Sequence, residues 1–221
     1  MSAPAPRSTP AQGGPPAAFD AFPVISPDSI TADWYREHGD RPTKLGRGCW
    51  YYSPLPANPT RGGRFDVPTP KGTCYFASTP EAAAMERVGR FTAQRKPVPA
   101  DLIIDRVVST VPADDLPDGA ADLRATRAAS AFGVTSELFT MSDYSVPQAW
   151  ASSISNAGYD ALVYTPRFSP GATAVSVFGP QGAKALTTAG LHSLSDVLRG
   201  AGIDVAPIPP ASALTYATPP A

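Results

Sequence analysis

Gly72-Thr73-Cys74-Tyr75-Phe76-Ala77-Ser78-Thr79-Pro80-Glu81-Ala82-Ala83-Ala84-Met85-Glu86 passes from a strand pattern into a helix start with no loop between them. The β-branched and aromatic residues of 73–77 suit a pleated, half-buried surface. Ser78 with Glu81 three positions on reads as a capping box, and Pro80 suits a first helical turn. The helix is expected to run through Val88 and Phe91 and to stop before Pro97. At helical spacing Ala82, Met85 and Gly89 form one stripe, with Glu86 at its edge beside small side chains.

Upstream, Trp50-Tyr51-Tyr52 reads as a strand ended by Pro54 and Pro56. Asp28 or Ser29 is expected to start a short helix through Ile30, Trp34 and Tyr35. Downstream, residues 102–108 read as a strand, 112–119 as a polar loop and 121–131 as helical. A helix beginning at Ser145 carries Ala149, Trp150 and Ile154 and ends at Gly158. Strands over 160–164 and 173–178 follow, then a helix over 193–199. Short strands mixed with helices, without regular alternation, predict a single α+β domain.

Of the 27 prolines in the 221 residues, ten fall in the two short end stretches 1–21 and 207–221. Proline lacks a backbone donor and favours extended, solvated chain, so residues 1–21 and 207–221 are expected to be disordered tails around a domain spanning 22–206. A formal net charge of −1 lacks the basic excess of a general nucleic-acid or membrane binder. Cys49 and Cys74 have no metal-type spacing, and His38 and His192 are too few to hold a metal without carboxylates, so no metal is expected. Cys74 lies in a strand pattern and reads as a buried apolar residue. With no apolar run long enough for a signal or a span, the expected compartment is the cytoplasm.

Residues 61–91 concentrate the chemistry. Arg64 follows two glycines, where backbone can approach a ligand closely. Tyr75 sits in the strand and Glu86 on the helix after it, each eleven positions from the last. A guanidinium offers a phosphate two parallel hydrogen bonds and a charge that does not titrate away. A phenol offers a flat face and a polar edge. A carboxylate beside a sugar can stabilise positive charge growing at the anomeric carbon, where a well-placed electrostatic group contributes about 3–4 kcal/mol. Taken singly, each residue has a plainer reading. Glu86 could pair with Arg90 on a solvated helix face, Arg64 could decorate a loop, and Tyr75 could be core. Gly62-Gly63 is neither a Walker loop nor a dinucleotide fingerprint, and no Ser/His/Asp set is present.

The runs Gly62-Gly63-Arg64-Phe65-Asp66, Gly72 to Ser78 and Glu81 to Glu86 together resemble the heart of the RES domain, a family named for an arginine, a glutamate and a serine. A second stretch agrees: Tyr144, Pro147-Gln148-Ala149-Trp150-Ala151, Gly158-Tyr159-Asp160, Arg167-Phe168-Ser169-Pro170-Gly171 and Val177-Phe178-Gly179. The similarity spans about 45–180. It implies an ADP-ribosyltransferase-like fold, with a split mixed sheet and flanking helices around an NAD-binding cleft. Characterised members are toxins of RES–Xre toxin–antitoxin modules that break the nicotinamide–ribose bond of NAD with phosphate or water as acceptor. By position, Arg64 would hold the NAD phosphates or ribose, Tyr75 would line the nicotinamide pocket and Glu86 would act at the reacting ribose. The partners so implied are NAD, phosphate or water, and an Xre-type antitoxin, with a homodimer left open.

Two positions differ from the family pattern. Its Tyr-x-Ser-Arg segment is Tyr164-Thr165-Pro166-Arg167 here, so Thr165 or Ser169 would have to supply the hydroxyl, next to Arg167. The family's early arginine is expected in the Trp50–Tyr52 strand, where Tyr52 stands instead, with Arg47 and Arg61 nearby to compensate. The expected activity is NAD glycohydrolysis or phosphorolysis. Transfer of ADP-ribose to a macromolecule, or a RES domain kept only as a binding module, are the alternatives.

Overall fold

A computed structural model describes residues 12–40, 50–184 and 189–207. Twelve strands form in chain order: β1 (Val24–Ile25), β2 (Asp33–Gly39), β3 (Tyr51–Tyr52), β4 (Lys71–Ala77), β5 (Val98–Pro99), β6 (Arg106–Pro112), β7 (Ala120–Asp122), β8 (Ala161–Tyr164), β9 (Ala174–Pro180), β10 (Gly182–Ala183), β11 (Gly190–Ser193) and β12 (Val205–Ala206). The helices are α1 (Pro80–Ala93), α2 (Thr126–Phe132), α3 (Glu137–Thr140), α4 (Ser145–Asn156) and α5 (Leu194–Gly200). Eight strands make one mixed sheet in the order β1-β7-β8-β9-β4-β2-β6-β11, while β10–β3 and β12–β5 form two small sheets. Only the β7–β8 pair is parallel within the large sheet.

The sheet is split in its middle. β4 pairs with β9 along its whole length, and β2 with β6 along its whole length. β2 and β4 meet at a single register position, Tyr35 opposite Ala77. Beyond that point the two strands diverge, and the half made of β2, β6 and β11 opens away from the other half.

Alternation along the strands divides the core. Leu162 and Tyr164 of β8 point to one face, where Trp150, Ala151 and Ile154 of α4 cover them together with Phe65, Val67 and Phe178. Ala161 and Val163 point to the other face, packing with Cys74 and Phe76 of β4 and with Trp34, Trp50 and Tyr52. Around the second half, Ala82, Ala83, Ala84 and Val88 of α1 pack with Val98, Val108 and the α5 residues Leu194 and Leu198. The small residues of α1 let the helix sit close to the strand ends. Cys74 is wholly buried, as its strand pattern implied.

Several elements differ from expectation. Residues 27–29 form only a 3-10 turn, and Trp34 and Tyr35 belong to β2 rather than to a helix. The indole of Trp34 is fully buried against the sheet, which a strand residue alternating inward achieves. Residues 100–102 form another 3-10 turn, Asp105 has φ 57°, and the strand begins at Arg106. The apolar pair Ile103-Ile104 is thus not in a strand, and Ile104 is 57% exposed. Of 121–131, the first residues complete β7, and the helix starts at Thr126.

The capping box is also corrected. Thr79 is the N-cap of α1, accepting from the Ala82 N–H at 3.1 Å. Ser78 turns its hydroxyl to the Thr173 N–H at 3.0 Å and ties the end of β4 to the chain entering β9. At the N-terminus, residues 12–21 pack against the body rather than forming tail. Gln12 and Phe19 are buried, Gln12 Oε1 accepts from the Thr135 N–H at 2.8 Å, and the Trp150 indole donates to the Gly13 carbonyl at 3.0 Å. Residues 1–11 and 208–221 lie outside the described residues.

Candidate active site

The cleft left by the diverging strands holds a cavity of about 480 Å³. Its walls come from β2 (Tyr35, Arg36, Glu37), from β4 (Tyr75, Phe76, Ala77) and from the exposed edge of α1 (Glu86, Arg87, Arg90). The turn before β4 contributes Gly63 and Arg64, and the chain after β8 contributes Arg167 and Phe168, with Tyr144 and Tyr164 behind. A site of this size lies in the usual range for small-molecule pockets, ~300–1,000 Å³.

Arg64, Tyr75 and Glu86 therefore face one space. Arg64 is 9% exposed, and its Nη1 donates to the Met141 carbonyl at 2.8 Å, beside the end of α3. Its guanidinium lies 4.5 Å from the centroid of the Tyr144 ring. Burial lowers its pKa, yet an arginine stays charged under any ordinary condition. Glu86 opens into the cavity on the edge of α1. Desolvation raises its carboxyl above the usual glutamate range, and the charge of Arg64 partly opposes that rise.

Tyr75 is placed differently from the simple picture of a free phenol. Its hydroxyl donates to Asp66 Oδ1 at 2.7 Å and accepts from the Phe65 N–H at 2.9 Å. Asp66 Oδ2 accepts from the Gly63 N–H at 2.6 Å. Gln148 Nε2, from α4, donates to the carbonyls of Pro59 and Gly63, each at 3.1 Å. The ring of Tyr75 lines the cavity while its polar end is consumed in holding the turn. Burial, then the neighbouring Asp66 charge, push its phenol well above the ordinary value.

Arg36 is the residue that sequence reading missed. It sits on β2 just past the point where β2 and β4 part, donates from Nη1 to the Tyr75 carbonyl at 3.0 Å, and lies 5.9 Å from the Phe76 centroid. It bridges the split and faces the cavity. The signal was the alternation Trp34-Tyr35-Arg36-Glu37, hidden by the expected helix through Ile30, Trp34 and Tyr35. Tyr52 stands where the early arginine was expected, and the arginine that the structure brings to the cavity from a strand is Arg36 on β2.

The other expected site residues scatter. Arg167 lines the cavity, its guanidinium 5.4 Å from the Phe168 centroid. Tyr52 does not line it. Its ring packs beside Trp50 and over Gly179, and burial pushes its phenol up to about 12. Arg61 is exposed at the end of a 3-10 turn, and Thr165 and Ser169 flank the cavity segment without lining it. Arg47 lies outside the described residues. Pro166, at the expected serine position, is buried.

The cavity is strongly cationic. Arg36, Arg64, Arg87, Arg90 and Arg167 line it with two carboxylates, Glu37 and Glu86, and Glu37 is already paired with Arg106. Such a wall attracts an anionic ligand, and of its two carboxylates it is Glu86 that has no ion-pair partner among the described residues.

The RES-domain family model matches residues 33–195, most of the chain. The chain belongs to the RES-domain family. Among solved structures, this RES domain is similar to a chain of the M. tuberculosis MbcT–MbcA toxin–antitoxin complex, with 16% identity and a TM-score of 0.56. The likeness covers 82% of this chain and 93% of that one, and at this identity it speaks to the fold. No match was found among curated proteins. Among the described residues no helix is long and apolar enough to cross a membrane, and no group of three or more His, Cys, Asp or Glu is placed to hold a metal ion.

Proposed function

We propose that this RES domain consumes NAD by breaking the nicotinamide–ribose bond, with phosphate or water as acceptor. The observation that carries this reading is the convergence of Arg64, Tyr75 and Glu86 on one cationic cavity in the split of the sheet. Arginines on four walls suit a pyrophosphate, which a guanidinium meets with paired, charge-assisted hydrogen bonds. The face of Tyr75 suits a flat ring. Glu86 suits the ribose, where its carboxylate stabilises the positive charge that grows at the anomeric carbon as that bond lengthens.

In this reaction the carbon–nitrogen bond breaks and its electron pair leaves with nicotinamide, which departs neutral. An oxygen of phosphate or water then bonds to the same carbon and releases its proton. The products are nicotinamide with either ADP-ribose 1-phosphate or ADP-ribose. Incubating purified protein with NAD, with and without phosphate, and identifying products by mass tests the reading. Loss of NAD with one of those products supports it, and intact NAD in both buffers overturns it.

The buried Pro166 in place of a serine favours a second reading, a domain that binds NAD without turning it over. Calorimetric binding with no loss of NAD would select it. The solved relative is one half of a toxin–antitoxin pair, which supports an antitoxin as the partner here too. Co-purification with the product of an adjacent gene tests that.

A further inference from the structure

Asp66 is 4% exposed, and no cation pairs with it among the described residues. A carboxylate so placed is costly unless hydrogen bonds replace the water it has lost. Both of its oxygens are committed to the turn that carries Arg64: Oδ2 to the Gly63 N–H and Oδ1 to the Tyr75 hydroxyl. That hydroxyl receives the Phe65 N–H, so its own proton must point outward to an acceptor. Two donors therefore converge on one side chain, and only a group that accepts at both ends satisfies them. The fit also explains the glycine. A Cβ at Gly63 would lie 2.5 Å from Tyr75 Oη and 2.8 Å from Asp66 Oδ1.

We infer that Asp66 is a positioning residue: its carboxylate latches the Gly63–Phe65 turn to the Tyr75 hydroxyl and so holds Arg64 in the cavity within electrostatic reach of Glu86. The role of the latch in turnover rests on the NAD reading above, whereas the latch itself does not. Arg64 follows Gly63 directly, and the backbone on both sides of it is held by the same pair of side chains. Gln148 secures the turn from α4, but it touches only carbonyls and leaves the Gly63 and Phe65 N–H groups to Asp66 and Tyr75.

The substitution Asp66→Asn keeps the shape and removes one acceptor, so a donor is left facing a donor. Tyr75→Phe keeps the ring and removes the same link from the other side. Two readouts separate a latch from general destabilisation. By amide exchange, Gly63 and Phe65 should be slow in the parent, and at least about tenfold faster in Asp66→Asn at the turn alone, the scale of one lost buried hydrogen bond. In turnover, kcat/KM for NAD should fall and the acid limb of its pH profile should move upward, because Glu86 loses the cation that keeps it ionised. In an Arg64→Ala background Asp66→Asn should add nothing further to either change.

Parent-like exchange at Gly63 and Phe65 in Asp66→Asn would overturn the latch. So would a loss of kcat/KM that adds in full to that of Arg64→Ala with no movement of the acid limb. Should Asp66→Asn not fold, Tyr75→Phe carries the same expectations. If the parent consumes no NAD, the proposed function falls. The amide exchange, with displacement of the Arg64 Nε–H resonance in Asp66→Asn, then decides the latch without it.

Discussion

Glu86 combines a helix edge, a cavity and a nearby guanidinium, and these pull its titration in opposite directions. Desolvation raises its pKa, and Arg64 draws it back. A carboxyl raised in the folded state holds its proton more tightly there than in the unfolded chain. Its ionisation therefore reduces stability as pH rises from the ordinary glutamate value, about 4.3, through the raised folded value, and the full penalty applies above it. Glu86→Gln should accordingly abolish NAD loss while leaving the Tm at neutral pH unchanged or higher; a mass assay and a thermal melt check both. Arg64→Ala should weaken NAD binding by about 1.5–3 kcal/mol, the scale of a charge-assisted hydrogen bond, as read by calorimetry. The same variant should move the acid limb of turnover to higher pH. Arg36→Ala should also weaken NAD binding, and it removes the bridge from β2 to the Tyr75 carbonyl.

The elements around the cavity are held by close approaches as much as by hydrogen bonds. Gly89 on α1 lies against Phe168, and a Cβ there would sit 2.3 Å from Phe168 Cγ and 2.6 Å from its Cβ. Those atoms are at the root of the side chain, so the segment carrying Arg167 must shift as a whole. Gly89→Ala should thus cost about 1–3 kcal/mol of stability, the range for overpacking, and weaken NAD binding beyond what stability explains. Denaturant melts and calorimetry on one preparation separate the two effects. The far end of that segment is anchored independently. Thr173 exchanges bonds with Ser78, and its hydroxyl accepts from Arg124 Nη1 at 2.7 Å, with Arg124 itself paired to Asp122.

Across the whole molecule, the α4 face of the sheet is completed from the N-terminus. Phe19 stacks on Phe132 at 6.4 Å and meets Trp150 edge-on at 6.0 Å, while Phe22 contacts Phe132 and Tyr159. Aromatic residues bury large apolar areas, so this strap is part of the core despite its proline-rich surroundings. Phe19→Ala should lower stability by about 3–5 kcal/mol in a denaturant melt while leaving the cavity residues in place. A loss below about 0.5 kcal/mol, the size of an ordinary exposed change, would mean that the strap does not pack as described.

Local pattern was enough for much of this protein. The strand-to-helix passage at 72–91 announced β4 and α1, because β-propensity, a proline in the first turn and small-residue spacing all act over a few neighbouring residues. The motif of Arg64, Tyr75 and Glu86 announced the family. Tertiary structure alone decided that β2 is a strand carrying Arg36, since the burial of Trp34 depends on sheet partners more than thirty residues away. It also decided that Tyr52 is core and that Asp66 and the Tyr75 hydroxyl serve the turn rather than the cavity. The cleft itself belongs to neither strand: it exists because β2 and β4 are each fully paired on their outer sides and meet each other at one point. Short-range propensity is written residue by residue, whereas a gap between strands is a property of how distant pairings compete.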